Sequence, residues 1–304
     1  MFTKTLDNKQ YHTLNYYYKN KYQKKVFKVS LNAGFMCPNI KNGHGCIFCS
    51  HRSGDFAGNP NDSLEVQFEM IKNMMEQKWP DAYYIAYFQV GTNTYAPLSF
   101  LKKNFESVIQ FPNVIGLNIA TRSDAISEEV LDYLTDLNQR TDLTIELGLQ
   151  SIHNETLEYI NRGHDFENFD QCLKKLHERN IKVVVHIING LPNETKEMML
   201  ETAKYLNKVK PHGIKIHMLS VVKNTPLAFI YEKAPFPLLS KEEYIDIVCE
   251  QLAHLSDDIV IHRITGDPTK EDLIAPFWLL KKFVVLNDID KEMKKRNISQ
   301  GVKC

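Results

Sequence analysis

The sequence has no apolar run close to the roughly 20 residues that a membrane-spanning helix needs. Its first residues, MFTKTLDNKQYHTLNYYYKN, are polar and aromatic and lack the apolar centre of a signal peptide. Acidic and basic residues balance at 37 each, so net charge neither favours nor excludes a nucleic-acid partner. These absences predict a cytoplasmic protein without a membrane partner.

Cysteine is sparse, with 6 in 304 residues, yet the stretch MCPNIKNGHGCIFCS holds three of them, Cys37, Cys46 and Cys49. Disulfides are rare in the cytoplasm, where close cysteines bind metal or take part in redox chemistry. One CxxC pair with an outlying cysteine leaves two alternatives. His44 would complete a four-ligand zinc site, whereas three thiolates alone suit a [4Fe–4S] cluster with one open iron.

Strand-like apolar runs alternate with amphipathic helix-like segments after residue 25. Six such repeats with short connections predict an α/β fold with a parallel sheet covered by helices. The first strand lacks a following GxGxxG turn, which disfavours a dinucleotide-binding sheet and favours a barrel of β/α units of the TIM type, complete or partial. The family resemblance given below implies the partial (β/α)6 form. The expected regions are a basic, aromatic N-terminal segment (1–25), a barrel core (26–222) and a short C-terminal section packing on or capping the barrel (223–304).

Polar side chains collect where the predicted strands end, which is the edge of a β/α barrel that carries the site. Turn formation explains the glycines and prolines there but not the amides and the acid, so the pattern favours a ligand site. The residues concerned are Gln89, Asn93, Thr94, Glu146 and Gln150.

Lysines and aromatic residues alternate in YKNKYQKKVFK, residues 18–28. Such a stretch can contact phosphates while its rings stack on bases. A solvated lysine face is the simpler interpretation, and both remain open from the pattern alone.

Several motifs together resemble one family. The spacing Cys37-x8-Cys46-x2-Cys49, placed after a first strand with β/α repeats behind it, resembles the radical S-adenosylmethionine (SAM) superfamily, in the branch of the Elongator catalytic subunit. The stretches RSGDFAG, FQVGTNTYAP, ELGLQS with NRGH, GLPNET and HRITGD are similar to the YhcC/YtqA-type (MnmL-like) proteins of that superfamily. The resemblance covers most of the chain and implies a partial barrel of the radical SAM type.

The resemblance also implies cofactors. The three cysteines would hold three irons of a [4Fe–4S] cluster, and SAM would chelate the fourth. A reductant such as flavodoxin or ferredoxin would then drive cleavage of SAM to a 5′-deoxyadenosyl radical. The positions that match SAM-contacting segments of the family are Gln89, Asn93, Thr94, Glu146, Gln150 and Ser151, and possible substrate-side groups are Arg122, Arg162, His164, Lys215, His262 and Arg263.

The substrate implied by the resemblance is tRNA. YtqA-type relatives are associated with the wobble uridine, which implies conversion of 5-carboxymethylaminomethyl-uridine to the aminomethyl form. Two alternatives stay open: a radical SAM oxidoreductase acting on a small metabolite, and a non-catalytic, zinc-bearing RNA-binding protein.

Overall fold

A computed structural model describes residues 2–43, 45–50 and 57–304 of the chain. The strands are β1 (Val26–Leu31), β2 (Tyr83–Phe88), β3 (Val114–Thr121), β4 (Asp142–Gln150), β5 (Lys182–Asn189), β6 (Gly213–Met218), β7 (Val221–Val222), β8 (Val260–Arg263) and β9 (Leu273–Ala275). Seven of them form one parallel sheet in the order β1-β2-β3-β4-β5-β6-β8, and β7 pairs with β9 in a small antiparallel ribbon.

Helices follow the strands and cover one face of the sheet. They are α1 (Leu14–Tyr22), α2 (Pro38–Lys41), α3 (Leu64–Glu76), α4 (Leu98–Val108), α5 (Glu128–Arg140), α6 (Asn154–Tyr159), α7 (Phe166–Glu178), α8 (Lys196–Val209), α9 (Pro226–Lys233), α10 (Lys241–Ala253) and α11 (Lys282–Lys295). Side-chain caps begin several of them, as Ser127 does for α5 and Thr195 for α8.

The sheet is curled into a half-barrel, because side chains from its two edge strands meet. Lys28 Nζ on β1 lies 3.5 Å from His262 Nδ1 on β8. The predicted partial α/β barrel is therefore confirmed, with one difference. A seventh strand, β8, comes from the C-terminal section and pairs with β6; it has only four residues, too few for the sequence pattern to mark it.

The two faces of the sheet differ in chemistry. Alternate residues of each strand point outward and are buried against the helices in the main hydrophobic core, as Leu147 and Leu149 of β4 are. The residues between them point into the barrel, and there polar side chains bond to one another across the strands. We call this inner space the lumen.

The basic N-terminal stretch does not form one exposed surface. Tyr18 of α1 is buried against Val26 and Ile85, at the amino-terminal end of the barrel. Lys21 Nζ pairs with Asp142 at 2.6 Å, and Lys28 points into the lumen. The stretch thus closes the end of the barrel opposite to the cysteine loop.

The C-terminal section packs on the cysteine loop. The backbone N–H of Leu227 in α9 donates to the carbonyl of Ile47 at 2.8 Å. Ile47 and Phe48 contact a second hydrophobic cluster that contains Leu227 and the partly buried Ile274. This packing sets the position of the loop that carries Cys46 and Cys49.

None of the described helices combines the length and the apolar character that crossing a bilayer demands.

A buried pair of amides joins α10 to the end of β5. Asn189 Nδ2 donates to Gln251 Oε1 at 2.8 Å, Gln251 Nε2 donates back to Asn189 Oδ1 at 2.9 Å, and both residues are almost fully buried. Gln251→Leu should lower the free energy of unfolding by about 2 kcal/mol, because it leaves the Asn189 amide buried without a partner.

Anaerobic urea unfolding would measure this loss. The double variant Asn189→Leu with Gln251→Leu is the control, and it should recover most of the stability because no polar group is then left unpaired. Equal stability of Gln251→Leu and the unsubstituted protein would contradict the prediction.

Candidate active site at the carboxyl end of the barrel

The cysteine loop follows β1 at the carboxyl edge of the sheet. Cys37 precedes the short helix α2, and Cys46 is 7% exposed. The backbone N–H of Cys49 donates to the carbonyl of Cys46 at 3.0 Å, which folds the CxxC segment into a turn. Three thiols therefore lie in one loop at the mouth of the half-barrel.

Among residues 2–43, 45–50 and 57–304, no three His, Cys, Asp or Glu side chains lie close enough together to hold a metal ion. His44, the residue on which the zinc alternative depends, lies outside the described residues, as does most of the RSGDFAG motif. The metal ligands thus remain a prediction.

Two buried arginines lie beside the cysteine loop. Arg162 Nη1 donates to Cys46 Sγ at 3.6 Å, and Arg162 Nη2 donates to the carbonyl of Gly148 at 2.6 Å. Arg122 makes a two-pronged ion pair with Asp124, at 2.8 Å for each bond. Burial opposes the charge of Arg122, but Asp124 and, more weakly, the Cys46 thiol raise its pKa. The loop sulfur therefore lies in a cationic environment.

Each of these arginines has a donor that is buried without a partner among the described residues. They are Nε of Arg162 and Nη1 of Arg122. A buried guanidinium N–H without an acceptor costs free energy, so such groups mark positions where an anion binds. This donor set fits a negatively charged group at the mouth, as an iron–sulfur cluster with a carboxylate-bearing ligand would be.

Asn93 and Thr94 lie at the predicted edge and fix the ends of β2 and β3. Asn93 Nδ2 donates to the carbonyls of Phe88 and Ala120, at 3.1 and 2.7 Å, whereas its buried Oδ1 has no partner in the described part of the chain. The Thr94 hydroxyl contacts Thr121 Oγ1 and bonds to a loop carbonyl, so its capacity is used within the protein. Of Asn93 and Thr94, only Asn93 therefore keeps an acceptor, its Oδ1, for a ligand.

The other amide and hydroxyl positions are also at this edge. Gln89 Oε1 accepts from Ser30 Oγ at 3.1 Å, and Gln150 ends β4 in a left-handed conformation, with φ of 75°. Ser151 is fully buried and donates its hydroxyl to Glu194, whose pKa is raised by burial. Ser151 thus positions Glu194, a carboxyl group that the sequence pattern did not single out.

Glu146 lies at the middle of β4, not at its end where the sequence placed it. Five protein donors surround its two oxygens. Oε1 accepts from Lys28 Nζ at 2.7 Å and Asn118 Nδ2 at 2.8 Å; Oε2 accepts from Tyr87 Oη at 2.7 Å, from His186 Nε2 at 2.8 Å and from Lys215 Nζ. With both oxygens engaged in this way, Glu146 is a charge partner for lumen cations, and its contact with the ribose of SAM stays a prediction.

Burial and charge act in opposite directions in this network. Burial alone would raise the pKa of Glu146, but Lys215, Lys28 and His186 outweigh it and hold the pKa well below its usual range. Burial lowers the pKa of Lys215 to about 7, against the attraction of Glu146. Burial, and next Lys215, lower the pKa of His186 to about 4. The carboxylate is therefore ionised and the imidazole neutral.

Three other predicted residues lie at the mouth, in the lumen and at the open edge of the sheet. His164 is at the mouth, where its ring nitrogens lie about 3.4 and 3.5 Å from Ser123 Oγ, and burial and Arg162 lower its pKa to about 4. His262 lines the lumen with a buried Nε2 that has no partner in the described chain. Arg263 lies at the open edge, 3.4 Å from Asp267.

The polar lumen residues Lys28, Tyr87 and Asn118 are not among the predicted site residues. Lys28 belongs by sequence to the basic stretch, and the other two lie within apolar strands. Each occupies the alternate position between outward-facing core residues, as Lys28 does before Val29 and Leu31. A polar residue on the inner face of a barrel strand was the signal that could have identified them.

Comparison with known proteins shows which family the chain belongs to. The Radical SAM superfamily model matches residues 42–206, and the Radical_SAM C-terminal domain model matches residues 211–295. The chain is 48% identical to the Bacillus subtilis protein YtqA over 298 residues, which is 96% of this chain and 92% of YtqA. The chain belongs to the radical SAM superfamily, whose members use a [4Fe–4S] cluster and SAM, as the resemblance predicted.

Two further similarities are to proteins longer than this chain. The chain is 29% identical over 193 residues to a protein from Methanocaldococcus jannaschii named tRNA uridine(34) acetyltransferase, covering 62% of this chain and 34% of that protein. The solved structure of archaeal Elp3 from Methanocaldococcus infernus superposes with a TM-score of 0.69 at 18% identity, over 91% of this chain and 64% of that chain. The second similarity shows the fold.

Removing the lumen carboxylate should destabilise the protein strongly. Glu146→Ala leaves Lys28 and Lys215 buried without a counter-ion, which costs about 3 to 5 kcal/mol. Adding Lys215→Met to that variant should recover part of the loss, as measured by anaerobic urea unfolding. Glu106→Ala, which breaks an exposed ion pair with Arg140, is the control and should cost under about 1 kcal/mol.

Acid should destabilise the protein through its buried histidines. Burial, and next Lys182, lower the pKa of His212 to about 4, so the folded state keeps this ring neutral while the unfolded chain binds a proton below its ordinary pKa of 6.5. Stability contributed by the neutral ring is present above that value and is lost as the pH falls from about 6.5 to about 4. Thermal denaturation midpoints should fall over this window, and less steeply in His212→Phe; identical slopes would contradict the assignment.

Proposed function

We propose that Cys37, Cys46 and Cys49 hold a [4Fe–4S] cluster at the mouth of the half-barrel. The proposal is supported by three cysteines in one loop, by the Arg162 donor on Cys46 and by the guanidinium N–H groups beside them that have no acceptor among the described residues. When bound, the cluster and SAM supply a 5′-deoxyadenosyl radical. A flavodoxin or ferredoxin would provide the electron.

The residues that would bind SAM are those with free capacity at the carboxyl edge. The unpartnered Oδ1 of Asn93 and the carbonyl oxygen of Gln89 are acceptors for an ammonium group. Gln150 stands at the end of β4, where a ribose would lie. Thr94 and Ser151 would stabilise the loops at the carboxyl edge rather than contact SAM, because their hydroxyls already bond to protein groups.

The substrate we propose is the wobble uridine of tRNA. Support comes from similarity to a protein named tRNA uridine(34) acetyltransferase and from Elongator-type relatives. The reaction would convert a 5-carboxymethylaminomethyl side chain to the aminomethyl form. The carbon between the nitrogen and the carboxylate would lose a hydrogen atom and an electron, with SAM as the overall oxidant, to give an imine. Water would then hydrolyse the imine, which breaks the carbon–nitrogen bond and releases the two-carbon unit as glyoxylate. The protein would act in the cytoplasm, where free thiols persist.

The chain's own groups would position the substrate and exclude water. His164 and the two arginines lie at the mouth, and Lys215, His262 and Arg263 lie deeper or at the open edge. The C-terminal section covers one side of the cysteine loop with apolar side chains, which limits the access of water to a radical reaction.

A deletion strain tests this proposal. Its tRNA should lack the aminomethyl-type wobble nucleoside and accumulate the carboxymethylaminomethyl form, as measured by mass spectrometry of digested tRNA. A plasmid copy of the gene should restore the profile, and a Cys46→Ser copy should not, because one iron would lose its ligand.

Cys304→Ser is the matched control, since that thiol is exposed and far along the chain from the loop. It should restore the profile fully. An unchanged nucleoside profile in the deletion strain would rule out the proposed substrate.

A further inference from the structure

The inner face of this half-barrel is polar where closed TIM barrels are filled with branched aliphatic side chains. Six of its side chains form one bonded network that spans strands β1 to β6. They are Lys28, Tyr87, Asn118, Glu146, His186 and Lys215. A packed hydrophobic interior would be simpler to stabilise, so the polar face indicates that the lumen receives a polar ligand.

The charges of this network do not balance. Lys28 and Lys215 both pair with Glu146. Asp142, four residues earlier on the same face of β4, already pairs with Lys21 and Lys182, and Arg263 has Asp267 as its own partner. Burial lowers the pKa values of His186, His217 and His262, so these rings add no charge. With Lys215 protonated, the lumen carries one cation more than it has anions. Burial, which lowers the pKa of Lys215 to about 7, opposes that charge as long as no anion binds beside it.

Burial makes this surplus charge costly. The side chain of Glu146 is fully buried, that of Lys215 is 9% exposed and that of Lys28 is 16% exposed. Removing an ion from water without a counter-ion costs several kcal/mol, which a bound anion would offset. A second set of two lysines on one carboxylate occurs at the opposite end of the barrel, where Lys21 and Lys182 share Asp142, but those side chains are 35% and 29% exposed.

The surplus cation lies close beneath the cysteine loop. Gly148, whose carbonyl accepts from Arg162, is two residues beyond Glu146 on the same face of β4, which is about 7 Å along a strand. Lys215 has three N–H donors, and within the described chain two acceptors, Glu146 and Tyr87, engage it. His217, two residues nearer the mouth, stacks on His186 with ring centroids 5.4 Å apart. One ammonium donor is thus left for a ligand entering from the mouth.

We propose that the lumen is a receptor for a carboxylate group, with Lys215 supplying the charge that binds it and Lys28 remaining paired with Glu146. One surplus cation matches the single charge of a carboxylate rather than the larger charge of a phosphate. The mouth arginines each keep one N–H without an acceptor among the described residues, Nη1 of Arg122 and Nε of Arg162, but these donors lie beside the cysteine loop and we assign them to the cluster.

Two molecules carry a carboxylate that this receptor could bind, and the first of them rests on the proposed function. It is the carboxymethyl group of the modified uridine that the reaction removes. The second is the carboxylate of the methionine part of SAM. Both are planar, singly charged groups, and binding measurements can separate them.

Calorimetry on the anaerobic, cluster-loaded protein in its oxidised state tests the proposal without turnover. The first arm compares the nucleoside 5-carboxymethylaminomethyl-uridine with its uncharged carboxamide. The second arm compares SAM with decarboxylated SAM. In one of the arms the carboxylate form should bind about tenfold or more tightly, and Lys215→Met should abolish that preference.

Lys182→Met is the matched control, because it removes one of two lysines from Asp142, a partly buried carboxylate at the opposite end of the barrel. It should leave both preferences unchanged. Lys215→Met should fold with undiminished thermal stability, since Glu146 keeps Lys28, His186, Tyr87 and Asn118 as partners. A loss of folding in that variant would contradict the assignment of Lys215 as the surplus charge.

The lumen receptor and the proposed tRNA substrate can be contradicted independently of each other. A carboxylate preference that persists in Lys215→Met overturns the lumen receptor, even if the deletion strain shows the expected tRNA change. A preference for SAM over its decarboxylated form that depends on Lys215 supports the receptor, even if the tRNA profile is unchanged. Absence of any preference in both arms overturns the receptor.

Discussion

A single buried carboxylate organises the interior of this protein. Glu146 joins β4 to side chains on β1, β2, β3, β5 and β6, so one group connects nearly the whole width of the curled sheet. Its charge is stable there because buried lysines surround it, and they in turn depend on it. The outer face of the same strands is apolar and packs on helices, so each strand separates a hydrophobic core from a polar lumen.

The same alternation positions the site. Strands that end at one edge bring the cysteine loop, the β2 and β3 ends and the β4 end together, and Arg162 connects two of them by bonding to both Cys46 and Gly148. The C-terminal section adds an apolar cover through Leu227 and Ile47. A cationic mouth above a cationic lumen, covered on one side by apolar side chains, suits a reaction on an anionic substrate from which water is kept away.

Much of this arrangement could be predicted from sequence, because strand–helix periodicity and polar residues after strands are local patterns. The half-barrel, the cysteine loop and the edge position of Asn93 and Gln150 follow from them. The role of Glu146 could not be predicted, because its partners lie up to 118 residues away along the chain. The position of Lys28 could not be predicted either. Because other lysines lie beside it in the sequence, it looks like part of a solvated stretch, and only the curled sheet shows that its side chain points into the lumen.

The account depends most on the nature of the metal at Cys37, Cys46 and Cys49. Iron analysis and electron paramagnetic resonance of protein purified without oxygen test it directly. We predict about four irons per chain, a reduced-state spectrum that changes when SAM is added, and loss of both in Cys46→Ser. One zinc per chain, with no iron and no spectral response to SAM, would contradict the account.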